Sequence, residues 1–214
     1  MAVDPPIFTR VYGVVAEVGE RTGLGRVRRR VLSSATGRLL IVGLGPGHDL
    51  DHLPPAVTSV VALEPSESMR AAARARIRTV IDRGIDIDVM AASAEHIPLP
   101  DDSVDTALVA YVLCSVEDPA GALREIHRVL RPGGDLLVLE HVREDDRGWR
   151  QHLQRTLEPM WHRCAGGCHL DRDTRRDIAI SGFDLGGLSR VRLRTLPPVS
   201  WTLIGTARSL QSGT

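Results

Sequence analysis

Residues 39–50, LLIVGLGPGHDL, restrict the possible folds of this chain more than any other stretch. Leu39, Leu40, Ile41 and Val42 form a short run with no polar position, as in a strand covered on both faces. The run stops at Gly43, and Gly45 and Gly47 follow at alternate positions. With no Cβ in the way, a glycine backbone can turn sharply and come close to a ligand. Residues 48–53 then read as the first turns of a helix, stopped by Pro54-Pro55. Strand, glycine loop and helix open a nucleotide-type α/β site, although an ordinary strand-to-helix turn has the same ingredients.

The following strand separates the two readings. Residues 58–63 (TSVVAL) are apolar and β-branched and run into Glu64. A carboxylate about twenty residues beyond the glycines is at the separation from which an acid reaches ribose hydroxyls. A dinucleotide site needs G-x-G-x-x-G, but His48 holds the position of its third small residue. The pattern present, G-x-G-x-G, resembles motif I of the class I S-adenosylmethionine (SAM) methyltransferases. Glu64-Pro65-Ser66 and a following helix with Met69 are similar to their second motif. The phrase L-R-E-I-H-R-V-L-R-P-G-G, residues 123–134, matches the turn before their fifth strand.

This resemblance covers residues 38–142 and implies a Rossmann-like α/β fold, a seven-stranded and mainly parallel sheet with helices on both faces and the last strand antiparallel. It implies SAM as cofactor and S-adenosylhomocysteine as product. On the matching positions, Gly43, Leu44, Gly45 and Gly47 approach the methionine end, and Glu64, with Pro65 beside it, takes the ribose hydroxyls. Met69 and Leu99 border the adenine, and Ser93, Ala94 and Glu95 form its loop. Ser93 stands where the family has an acid, and a hydroxyl accepts a weaker bond than a carboxylate. Ala110 and Tyr111 end the fourth strand, where the sulfonium and the acceptor meet. Ile41 replaces the acid that in the family helps to hold the methionine end.

Composition agrees with one enzyme domain. At 214 residues the chain can bury roughly 70% of its unfolded surface. Its 27 acidic and 27 basic residues balance, so no global field favours nucleic acid or an anionic membrane. Every basic residue among those 27 is Arg, a matter of genome composition rather than function. The cysteines, Cys114, Cys164 and Cys168, are too few and too irregular for a disulfide framework. No signal peptide and no apolar run long enough to span a bilayer is present, so a cytoplasmic location and no integral membrane segment are expected.

The rest of the chain divides around that core. Residues 1–37 form an N-terminal helical segment, with Phe8, Val11, Val15 and Val18 on one stripe and a break at Gly23–Gly25. Tyr12 is a candidate cofactor contact, and the basic run at residues 26–30 reads as a solvated helix face. Ser66 caps a helix to about Arg83, with Met69, Ala73, Ile77 and Val80 inward. Residues 85–91, 105–110 and 136–139 are the third, fourth and fifth strands, and a helix opens at Asp118-Pro119. Residues 143–183 are a lid or substrate region with helices at 147–159 and 171–180, and Trp149 and Trp161 suggest an apolar cover. Residues 184–214 hold the terminal strands, 188–196 and 200–207, joined at Pro197-Pro198.

A second resemblance is narrower. Val112 to Val116, Glu140-His141-Val142, Pro159-x-Trp161, Gly167-Cys168-x-Leu170-x-Arg172 and a late Gly-Phe resemble the methyltransferase-like thiol S-methyltransferases. That implies a small-molecule acceptor, a thiol first. His141, at the end of the fifth strand, is the candidate catalytic base, and Cys114 is pocket wall. The animal members carry an N-terminal membrane anchor, and the first residues here hold no comparable apolar run. Other acceptors (a quinone carbon, a phospholipid amine, a natural-product hydroxyl) and a non-catalytic SAM-binding role remain as alternatives. His162, Cys164, Cys168 and His169 have the residue types of a zinc site but not the usual C-x2-C spacing, so no metal is expected. The sequence leaves the oligomeric state open.

Overall fold

The computed structural model describes Gly13 and residues 16–143, 149–193 and 200–210, without the side chains of Arg150, Gln151 and Cys164. Phe8, Val11, Tyr12, Val15, the start of the expected 147–159 helix and the Pro197-Pro198 turn lie outside the described residues. Seven strands, β1 (Gly37–Val42), β2 (Val57–Leu63), β3 (Asp86–Met90), β4 (Val104–Ala110), β5 (Leu130–His141), β6 (Phe183–Arg192) and β7 (Trp201–Ser209), form one sheet in the order β3-β2-β1-β4-β5-β7-β6. Only β7 runs against its neighbours, β5 and β6.

Alternation along β1 explains why that strand is apolar throughout. Successive side chains face opposite sides of a sheet. Leu40 and Val42 enter one core with Val61, Leu63 and Val109, while Leu39 and Ile41 enter the other with Val60, Ala62 and Leu108. The first core is closed by α3 (Pro119–Val129), through Ala122, Leu123, Ile126 and Val129. The second is closed by α1 (Gly25–Leu32) through Val31 and Leu32, and by α2 (Glu67–Asp82) through Ala73 and Val80. Each fully buried leucine contributes about 1.5–3 kcal/mol. Helices α4 (Trp149–Cys164) and α5 (Thr174–Ile180) follow β5.

The order reverses at β1, which pairs with β2 on one side and β4 on the other. Loops leaving the carboxyl ends of these strands diverge there and leave a crevice. Ser66 caps α2 as expected, its hydroxyl accepting from the Met69 N–H at 3.2 Å.

Several boundaries differ from the sequence reading. The helix expected at 48–53 is a single 3-10 turn, His48–His52, because Leu53 turns extended before the two prolines. β5 is far longer than 136–139 and passes through Pro132-Gly133-Gly134 as a bulge against β4, with Gly133 at φ 72°. α5 starts late, where the Asp173 carboxylate accepts from the Arg176 N–H at 3.2 Å. In the basic run, Arg26, Arg29 and Arg30 are exposed but Arg28 is buried, paired with Glu20 at 3.0 Å and with Asp49. Val18, expected on an apolar stripe, is 56% exposed. Among the described residues no helix is long and apolar enough to cross a membrane.

Candidate active site

The glycine loop leaves β1 in a left-handed conformation, with φ of 74° at Gly43 and 52° at Gly45. A Cβ on Gly43 would stand 2.4 Å from Val112 Cγ2, whereas one on Gly45 would meet no atom within 4 Å. Gly43 is therefore required by packing, and Gly45 keeps its backbone accessible. The Gly45 N–H donates to Glu64 Oε2 at 2.7 Å, and the Ser66 N–H donates to Glu64 Oε1 at 2.9 Å. Glu64 is thus a buried carboxylate at the tip of β2, fixed in place by two amides. Arg70 donates to the Glu64 and Pro65 carbonyls at 2.6 and 2.9 Å, which secures the turn.

Behind the loop, Ile41 is fully buried among apolar side chains. Asp49, the buried carboxylate just past the glycines, is engaged by Arg28. Burial first, then the charges of Arg76 and Arg28, hold His48 below the ordinary imidazole range.

The loop over residues 93–99 is held by two side chains of α3. Glu125 Oε2 accepts from the Ile97 N–H at 3.0 Å. Arg128 donates to the Leu99 and Ile97 carbonyls at 2.8 and 2.9 Å, and to Glu125 itself. The Arg128 hydrogen bond holds the Glu125 carboxyl down to about 2. Ala94 and Leu99 are buried, Met69 is buried on α2, and Ser93 is exposed.

Beyond β4, Tyr111 adopts φ 60°, an uncommon conformation for a non-glycine residue. The next two amides, Val112 and Leu113, both donate to Glu140 Oε1, at 2.7 and 2.9 Å. Glu140 is 0% exposed, and burial pushes its carboxyl up against the pull of those amides. Next to it, the buried His141 ring stacks toward Tyr111, with centroids 6.4 Å apart, and its Nε2 lies 2.8 Å from Cys168 Sγ. Burial, the largest single influence, opposes the imidazolium, but the hydrogen bond to Cys168 and the charges of Cys168, Glu140 and Glu158 together outweigh it and raise the His141 pKa. The Cys114 thiol, then burial, push the Cys168 thiol up.

The segment after α4 docks on this loop through the backbone. The His169 N–H donates to the Cys114 carbonyl at 2.7 Å, and Arg172 donates to the Leu113 carbonyl at 2.5 Å. Trp161 donates its Nε1–H to Cys168 Sγ at 3.3 Å. Trp149, expected to share the apolar cover, is 66% exposed at the start of α4. His162 and His169 gather with Glu158 rather than with Cys168, which faces Cys114 and His141.

The glycine loop and Glu64 thus stand at the carboxyl ends of β1 and β2, with buried Cys114, His141 and Cys168 gathered beyond β4 and β5, and comparison with known proteins identifies the family. The family model described as a methyltransferase domain matches residues 40–138. The human thiol S-methyltransferase TMT1B is 32% identical over 177 residues, covering 81% of this chain and 70% of that protein. The chain belongs to the SAM-dependent methyltransferases. Human thiol S-methyltransferase TMT1A is 29% identical over 201 residues, covering 92% of the methyltransferase and 79% of its relative. A SAM-dependent methyltransferase from Thermotoga maritima shares the fold with a TM-score of 0.64 at 20% identity, over 95% of this chain and 100% of that one.

The methyltransferase brings its expected residues to one edge of the sheet. Gly43, Leu44, Gly45 and Gly47 follow β1, Glu64 and Pro65 follow β2, Ser93, Ala94 and Glu95 follow β3, Ala110 and Tyr111 end β4, and His141 ends β5. Glu64 held by the Gly45 amide, with open space where a Gly45 side chain would stand, fits a SAM nucleoside. Sequence reasoning missed Glu140 as the clamp of the loop after β4, and Glu125 and Arg128 as the clamp of the 93–99 loop. A carboxylate closing an apolar strand, and an E-x2-R pair one helical turn apart, were the available signals.

Proposed function

We propose that this methyltransferase transfers the SAM methyl group to a small thiol. The observation that carries the reading is similarity to the thiol S-methyltransferases through both the core and the segment after α4. In this reading the backbone of residues 43–47 holds the methionine end, and Glu64 accepts from the ribose hydroxyls while keeping its two amides. Met69, Ala94 and Leu99 border the adenine, and Ser93 and Glu95 serve its edge. Bound SAM supplies a methyl group on a sulfonium, whose departing thioether is neutral and needs no acid. The chain must then align the acceptor, exclude water and present an unprotonated nucleophile. A thiol eases the last demand, since its free pKa of about 8.5 leaves a few per cent as thiolate near neutral pH. In this reading the described residues 149–183 cover the acceptor, and His141 is the group that acts on the acceptor sulfur.

The test is turnover with methyl-labelled SAM on small alkyl thiols, phenols, quinones and amines in parallel. Thiols should be the methylated class. His141→Ala should lower that rate by about 100-fold or more, the scale of a positioned acid–base group, while leaving SAM affinity unchanged. Methylation of another class with thiols untouched would overturn the reading, and SAM binding without turnover on any acceptor would favour a non-catalytic role.

A further inference from the structure

Cys114, His141 and Cys168 come from three separate places, the loop after β4, the end of β5 and the segment after α4. Their ligand-type atoms nevertheless lie within 4.8 Å of one another, and all three residues are buried. We propose that they form a site for a zinc-class cation, with both sulfurs and a His141 ring nitrogen as ligands and the fourth corner open to the acceptor sulfur. The fourth corner rests on the thiol reading; the three protein ligands do not, and with the cation bound it is the cation, held by His141, rather than the imidazole as a base that acts on the acceptor sulfur.

Ligand type and number come first. Two cysteines and one histidine with an open fourth position is a known composition for catalytic zinc. Zinc–sulfur and zinc–nitrogen bonds of about 2.3 and 2.0–2.1 Å put tetrahedral ligands roughly 3.6–3.8 Å apart. The cluster already lies inside 4.8 Å, and the His141 Nε2 to Cys168 Sγ distance of 2.8 Å has to open by about 0.8–1 Å, a side-chain adjustment. No fourth His, Cys, Asp or Glu among the described residues joins the group, which is what leaves a corner for a ligand.

Charge and support agree. A divalent cation with two thiolates and a neutral imidazole sums to zero, the form in which charges tolerate burial. Trp161 donates its Nε1–H to Cys168 Sγ at 3.3 Å, as outer partners do toward a ligating sulfur. The ligands also sit on braced backbone, since Glu140 fixes the amides of Val112 and Leu113 and the His169 N–H fixes the Cys114 carbonyl. The second cluster, Glu158, His162 and His169, lacks these features. His162 is exposed, and Glu158 already accepts from the Leu170 amide at 2.7 Å.

Loading is a proton exchange without redox change. Two S–H bonds break, two metal–sulfur bonds form, and two protons leave to solvent. An acceptor thiol taking the fourth corner releases a third proton and stands as a bound thiolate.

The experiment uses the full chain, purified with a phosphine reductant, stripped of metal and titrated with cobalt(II) and then zinc(II). One cobalt per chain should appear with a thiolate-to-cobalt charge-transfer band, and zinc should displace it. Cys114→Ser, Cys168→Ser and His141→Ala should each diminish or abolish the band, while His162→Ala leaves it intact. Trp161→Phe should weaken zinc binding by about 10-fold. Zinc should also protect Cys114 and Cys168 of the unmodified chain from alkylation, read by mass spectrometry, which needs no variant to fold. No stoichiometric metal, or metal retained by the Cys168→Ser chain and lost from His162→Ala, would overturn the site. A small alkyl thiol should shift the cobalt spectrum, and an unchanged spectrum would overturn the open corner. A loaded site in a chain that methylates no thiol would reject the thiol reading and uphold the three ligands.

Discussion

The side assigned above to the cofactor and the side assigned to the acceptor are built on different principles. On the cofactor side, β1 and β2 end in backbone: three glycines turn the chain, and Glu64 is positioned by amides two and nineteen residues away. On the acceptor side, β4 and β5 end in side chains that meet across long separations. Glu140 reaches back to the amides of Val112 and Leu113, 28 and 27 residues earlier, and His141 reaches forward 27 residues to Cys168. A ligand shared by a whole family can be met by a backbone shape, whereas an acceptor chamber is specified by whichever side chains converge on it.

Substitutions on the two sides should therefore fail differently. The largest stability effect is expected for Glu140→Leu, which leaves two buried N–H groups without an acceptor, at about 1–3 kcal/mol each. Denaturant unfolding should show that loss, and Glu140→Gln, which keeps a carbonyl in place, should recover most of it. Glu64→Ala comes next, at about 1.5–3 kcal/mol in SAM affinity by calorimetry, since it removes hydrogen bonds to a charged group. A Glu64→Ala chain that binds SAM like the unmodified one, or a Glu140→Leu chain as stable as it, would erase the contrast between the two sides.

The smallest effect is acid sensitivity of the clamp on the 93–99 loop. Glu125 titrates near 2 in the folded chain against an ordinary 4.5, chiefly through its hydrogen bond with Arg128. A depressed carboxyl stabilises the fold fully above its unfolded pKa. That contribution fades as pH falls from about 4.5 toward about 2. Glu125→Gln should flatten the stability profile in that window and leave the neutral range with only the loss of its ion pair.

Legibility in the sequence followed the same divide. The run from Leu39 to Val42, the glycines after it and the distance to Glu64 are local, so periodicity and spacing were enough to place β1, β2 and the crevice. The antiparallel β7 came through the family resemblance, because no residue pattern in 200–207 specifies direction. Pro132-Gly133-Gly134 read as a break, yet pairing with β4 resumes past the bulge and makes β5 one strand. Arg28 looked like its exposed neighbours because its partners, Glu20 and Asp49, are 8 and 21 residues away. The cluster of Cys114, His141 and Cys168 left no local pattern, since each member sits in a different element.

Gly43 and Val112 are in contact so close that a methyl group on Gly43 would fall 2.4 Å from a Val112 methyl. The glycine loop and the loop after β4 therefore share a wall. An acceptor that displaces Val112 also displaces the loop assigned to SAM, and thermodynamic linkage makes the influence mutual: the factor by which one ligand alters the affinity of the other is the same in both directions. For such an acceptor, the coupling between the two ligands, and with it the release of the demethylated product, would run through one van der Waals contact.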